Sequence, residues 1–136
     1  MILETGIKTK IENFEDIERI ANKIAKINGV KAVYLFGSYA RDETHNFSDV
    51  DLCVFLDKKN KKAELDVMGY CSDNVDISFF HRLPLAIRFR VFGEGKLLIV
   101  KDENFIMGCK KLTLGEYLDF KPHLHRMCME KLKCMI

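Results

Sequence analysis

Between Leu35 and Leu56 the chain reads LFGSYARDETHNFSDVDLCVFL. An apolar run reaches Gly-Ser, breaks into a polar and charged stretch, and resumes as a second apolar run. That second run opens with two carboxylates, Asp49 and Asp51. A carboxylate inside an apolar strand costs stability unless it is paired or binds a cation. Two of them, one residue apart, constrain the fold and the chemistry more than any other feature of the chain.

Both runs read as strands. "VKAVYLF" (30–36) is the first, and "DVDLCVFL" (49–56) the second. The near-continuous apolar character of the second predicts burial on both faces and a central place in a sheet. "NVDISFF" (74–80), which contains Asp76, is a third strand, and "KLLIV" (96–100) a fourth. Ahead of them, Ile11, Phe14, Ile17, Ile20, Ala21, Ile24 and Ile27 recur at helical spacing. Asn13 suits the cap of that helix, and Asn28-Gly29 its stop.

Lys58 to Lys62, "KKNKK", reads as a solvated loop. Pro84 opens a helix that runs through Phe92, and Gly93-Glu94-Gly95 is a turn. Thr113-x-x-Glu116 fits a capping box ahead of a C-terminal helix, which Pro122 should interrupt or kink. A helix, three strands, a helix, a fourth strand and a last helix predict an α+β fold, with a small mixed β-sheet and helices to one side. The 136 residues suit a single domain spanning 1–136.

Composition narrows the class. Hydrophobic residues at 48% and charged residues at 31% predict a globular, soluble chain. A net charge of +2 gives no argument for nucleic acid or membrane. The charged N-terminus lacks a secretory apolar core, and no apolar run is long enough to span a bilayer. Five cysteines, odd in number and without a CxxC pair, predict free thiols in a reducing cytoplasm.

Side chains alternate along a strand, so Asp49 and Asp51 share a face, roughly 7 Å apart. Two carboxylates that close repel unless a cation sits between them. Oxygen ligands of this kind suit Mg²⁺ with substrate phosphates. If the third strand lies beside the second, Asp76 joins the cluster. Gly37-Ser38 sits where a strand meets a possible helix N-terminus; free N–H groups there favour an anion, and glycine permits close approach. A phosphate cradle joined to a carboxylate cluster points to metal-assisted phosphoryl or nucleotidyl transfer. A Gly-Ser turn and an Asp-x-Asp are also common structural features, and the residues alone leave that alternative open.

"GSYARDETHNFSDVDL" resembles the signature of the DNA polymerase β-like nucleotidyltransferase superfamily, a Gly-Ser followed by about ten residues and Asp-x-Asp. It is most similar to the minimal nucleotidyltransferase (MNT) branch, with Gly-Ser-x-Ala-Arg and then Ser-Asp-x-Asp-Leu. Gly37, Ser38, Ala40, Arg41, Ser48, Asp49, Asp51 and Leu52 match. "VDISFF" resembles that branch's third-carboxylate strand, and "RFRVFGEGKLLIV" and "EYLDFKP" its downstream segments.

The resemblance implies the DNA polymerase β-like nucleotidyltransferase fold. It also implies an antitoxin paired with a HEPN-domain ribonuclease toxin. Such a protein transfers AMP from ATP to a toxin hydroxyl, a tyrosine by analogy. Asp49, Asp51 and Asp76 would be catalytic and would hold Mg²⁺, two ions with substrate. Gly37 and Ser38 would hold the triphosphate, with Arg41 beside them. ATP is then a substrate, nucleic acid is not the direct substrate, and the complex contains more than one copy of each chain. Asp42 departs from the branch, which has Gly after Ala-Arg. Two rivals accompany this reading: a binding-only antitoxin with a vestigial site, and an enzyme acting on a small-molecule hydroxyl.

Other signals are weaker. Arg41 could equally pair with Asp42 or Glu43. His123, His125, Cys128 and Cys134 lack a recognised zinc spacing. Gly93-x-Gly95-Lys96 lacks the full P-loop spacing. Arg88 and Arg90 cannot share one helix face. Cys53 reads as a small buried residue. Phe89, Arg90, Phe92, Tyr117 and Phe120 suit either the core or an interface.

Overall fold

The structure is a computed structural model and describes residues 14–37, 50–56 and 60–135. In chain order it contains α1 (Phe14–Ala25), β1 (Val30–Phe36), β2 (Val50–Leu56), α2 (Lys61–Met68), β3 (Val75–Phe79), a 3-10 turn (Phe80–Arg82), α3 (Leu85–Glu94), β4 (Lys96–Val100) and α4 (Glu103–Met135).

The four strands form one mixed sheet in the order β3-β2-β1-β4. β1 is antiparallel to β2 and to β4, and β2 is parallel to β3. The apolar second run is therefore central, as its composition predicts. A parallel neighbour requires a crossover, since no tight turn can join two strands that run the same way. α2 lies in that crossover.

Alternation along the strands divides the core in two. Val33, Leu35, Val50, Leu52, Val54 and Leu56 meet Ile17, Ile20, Ala21 and Ile24 of α1 and Ala63 and Val67 of α2. On the other face, Ala32, Tyr34, Cys53 and Phe55 meet Phe80, Val91 of α3 and Ile106 of α4. Helices thus cover both faces, not one as the order of elements predicts. The physical reason is that β1 and β2 are apolar on both faces, so a single helical layer would leave half their area wet.

Three boundaries also differ. Lys61 and Lys62 lie in the first turn of α2 rather than in a loop. Asn60 caps this helix, its Oδ1 accepting from the Ala63 N–H at 3.0 Å. Gly93 and Glu94 belong to α3, and Gly95 follows it. α4 begins ten residues before Thr113, where Asp102 Oδ1 accepts from the Phe105 N–H at 3.0 Å. Thr113 is an interior, buried residue and not a cap. α4 continues through Pro122 as one helix. Pro122 itself is exposed.

Candidate active site

β2 and β3 run side by side in parallel with Asp51 opposite Asp76. Paired residues on neighbouring strands lie about 4.8 Å apart in the hydrogen-bonding direction, and their side chains point to the same face. The register begins where the Val50 N–H donates to Asn74 O at 2.8 Å. Asp51 is half-buried and Asp76 exposed. By alternation, both project to the face of Cys53 and Phe55, near the starts of their strands.

β1 delivers the third component. Phe36, its last residue, pairs with Asp51, so the next residue, Gly37, arrives directly beside that carboxylate. Gly37 has φ +80°, a conformation costly for residues with a Cβ. A Cβ built there would also collide with Asp51 Oδ2. The positive φ favours glycine at 37, and a Cβ there would in addition make the Asp51 carboxylate shift.

Cys71 also borders this site, and nothing in its sequence surroundings predicts that. Its thiol is pushed above its ordinary value by burial; a hydrogen bond from the Ile77 backbone opposes this, and the Asp76 carboxylate adds to it.

The structure brings Gly37, Asp51 and Asp76 together. Asp49, Ser38, Arg41 and Asp42 lie outside the described residues. Asp51 and Asp76 are hard oxygen donors on one face, which fits a divalent cation such as Mg²⁺. Among the described residues, no group of three or more His, Cys, Asp or Glu side chains forms a metal site. His123, His125, Cys128 and Cys134 fall in a stretch of α4 whose side chains are not described. Gly95 follows a helix rather than opening one, so Gly93-x-Gly95-Lys96 is a helix-to-strand turn. Phe92 packs with Tyr34, Phe55 and Phe80, and Phe89 stacks on Tyr117 at 3.8 Å. No helix among the described residues is long and apolar enough to cross a membrane.

Known proteins share this fold and part of this sequence. The family described as "Polymerase beta, Nucleotidyltransferase" matches residues 18–104. "Putative protein adenylyltransferase MJ1547" of Methanocaldococcus jannaschii is 33% identical over 88 residues, which cover 65% of this chain and 63% of that protein. MJ0435 of the same organism, which bears the same description, is 32% identical over 90 residues, covering 60% of this chain and 94% of that protein.

Among solved structures, a chain of a complex described as a toxin-antitoxin with AMP-PNP superposes with a TM-score of 0.66 at 19% identity. It covers 85% of this chain and 98% of its own. A chain of a tri-AMPylated Shewanella oneidensis HEPN toxin in complex with MNT antitoxin gives 0.58 at 15% identity, over 97% of this chain and 99% of its own. At these identities the structural likeness speaks for the fold. The family match covers well over half the chain and takes in Gly37, Asp51 and Asp76, and the chain belongs to the polymerase beta nucleotidyltransferase family.

Proposed function

We propose that this protein is a Mg²⁺-dependent nucleotidyltransferase and the antitoxin of a HEPN toxin, transferring AMP from ATP to a toxin hydroxyl, with tyrosine the leading acceptor. The observation that carries the reading is the in-register pairing of Asp51 with Asp76, with Gly37 against Asp51. The names of the Methanocaldococcus relatives and the HEPN partner in the structural neighbours support the choice of reaction and of acceptor.

In this reading Asp49, Asp51 and Asp76 hold the metal. Bound Mg²⁺ would supply charge compensation at the α-phosphate and on departing pyrophosphate. The backbone at Gly37, the Ser38 hydroxyl and Arg41 bind and orient the triphosphate. Asp76, exposed at the sheet edge, faces the acceptor and takes the proton of its attacking hydroxyl. The new bond joins that oxygen to the α-phosphorus, and the bond to pyrophosphate breaks. The setting is the cytoplasm, in a complex holding more than one copy of each chain.

The test is incubation of the protein with the HEPN protein encoded beside it, labelled ATP and Mg²⁺, followed by intact-mass measurement of the toxin. The expected result is a gain of AMP units that Asp76→Asn and Asp51→Asn each abolish while still binding the toxin. Neutralisation of the toxin without any mass gain would establish a binding-only antitoxin. Label appearing on a small-molecule alcohol and not on toxin would move the acceptor to that class.

A further inference from the structure

Beyond the far end of β2 from Asp51, a cavity of about 150 Å³ lies between the sheet, α3 and α4. Phe55, on its wall, is four residues along the strand from Asp51, about 13 Å away. None of the residues used below belongs to the carboxylate site.

The cavity has an aromatic floor. Phe55 and Phe80 stack there with ring centroids 4.2 Å apart and an 18° interplanar angle, and Phe105 contributes a further wall. Beside this aromatic floor, His81, Arg88 of α3, and Cys109, Thr113 and Glu116 of α4 bring polar groups to the cavity. Thr113, at 1% exposure, is the one fully buried polar residue among the described residues.

Arg88 carries the argument. Its Nε is buried with no hydrogen-bond partner among the described residues. Its Nη2 reaches Glu116 Oε2 only at 3.4 Å, the long limit of a hydrogen bond. Nε and Nη2 lie on one edge of the guanidinium, the edge that a carboxylate binds with both oxygens. Glu116 uses half of that edge. Its side chain is 51% exposed and is free to swing into water. A buried charged donor left unmade is costly, so an acceptor that fills the edge is favoured.

An apolar cavity of about this volume accommodates a benzene ring. We infer that this cavity binds a small aromatic carboxylate of the size of benzoate. The ring lies against Phe55 and Phe80, and the carboxylate takes Nε and Nη2 of Arg88 in place of Glu116.

The test is calorimetric titration of the full chain at neutral pH with benzoate, toluene and acetate as separate probes. The expected result is 1:1 benzoate binding at least tenfold tighter than either toluene or acetate. Arg88→Gln should weaken benzoate at least tenfold, and Glu116→Gln should tighten it severalfold by removing the competing carboxylate. Glu116 is on the surface, so its variant remains informative if Arg88→Gln does not fold. Absence of saturable benzoate binding overturns the inference. So does toluene binding as tightly as benzoate, which would mark a plain apolar cavity. Unchanged or weaker benzoate binding in Glu116→Gln overturns it as well.

Discussion

A single methyl group at Gly37 tests the candidate site most directly. Alanine there takes on a positive φ, which costs roughly 1–2 kcal/mol for a residue with a Cβ, and its Cβ meets the Asp51 carboxylate. The expected outcome for Gly37→Ala is a loss of AMP transfer of at least a hundredfold with a drop of only a few degrees in melting temperature. Transfer assays beside thermal denaturation check this; activity within threefold of wild type would remove Gly37 from the site. At this scale the sequence was informative but incomplete. Asp49, Asp51 and Gly37 stand out because a charged pair and a glycine interrupt apolar runs. That Asp76 faces Asp51 was conditional on two strands being neighbours, which local sequence does not encode. The contact between a Cβ at Gly37 and the Asp51 carboxylate depends on the register of β1 against β2, a long-range fact. Cys71 beside Asp76 left no signal at all, because its neighbours in the chain are ordinary turn residues.

At the scale of elements, the strands were legible to within a residue or so, whereas α2 and the start of α4 were not. α2 turns only Ala63 and Val67 to the core, a stripe too narrow to stand out among Lys61, Lys62, Glu64 and Asp66. Its signal is the cap instead. Asn60 accepts from Ala63, and its Nδ2 lies 3.5 Å from Asn28 O, tying the start of α2 to the turn after α1. Asn60→Ala should cost about 1 kcal/mol, the usual loss of an N-cap, read as a shift in the urea midpoint; no shift would mean that packing alone holds α2. α4 misled for the opposite reason. Thr113 and Glu116 have the spacing of a capping box, but Thr113 is a buried residue inside the helix that Asp102 starts. Local chemistry proposed a boundary that tertiary packing overrode. Pro122 should then be a standing cost within α4. Pro122→Ala restores an N–H and removes a ring clash, and is expected to stabilise the protein by up to about 3 kcal/mol. Equilibrium unfolding with far-ultraviolet dichroism measures it; a destabilised variant would show that the chain depends on proline there.

For the whole molecule, the decisive property is that the sheet is buried on both sides, with two separate clusters of side chains. The second cluster fully buries two ionisable groups. Cys53 is 0% and Tyr34 4% exposed, and they pair across β1 and β2. Burial pushes the Cys53 thiol well above its ordinary value near 9.0. Burial, and after it the nearby Cys53 and Cys109, raise the Tyr34 hydroxyl above 10.0. In the unfolded chain both groups lose protons at their ordinary values, while the folded protein keeps them protonated to higher pH. Above about pH 9 the unfolded state therefore binds fewer protons than the folded state, and stability falls as pH rises. Each fully mismatched group contributes a slope of about 1.4 kcal/mol per pH unit. Below pH 8 both states hold these protons, and the groups contribute no slope. Urea unfolding from pH 7.5 to 10.5 should show a flat stability that turns downward near 9. Cys53→Ala should start lower, because a buried sulfur is lost, but decline less steeply above pH 9, since only Tyr34 of the pair remains to titrate. Parallel declines for the two proteins would show that the thiol is not the group whose burial the fold defends.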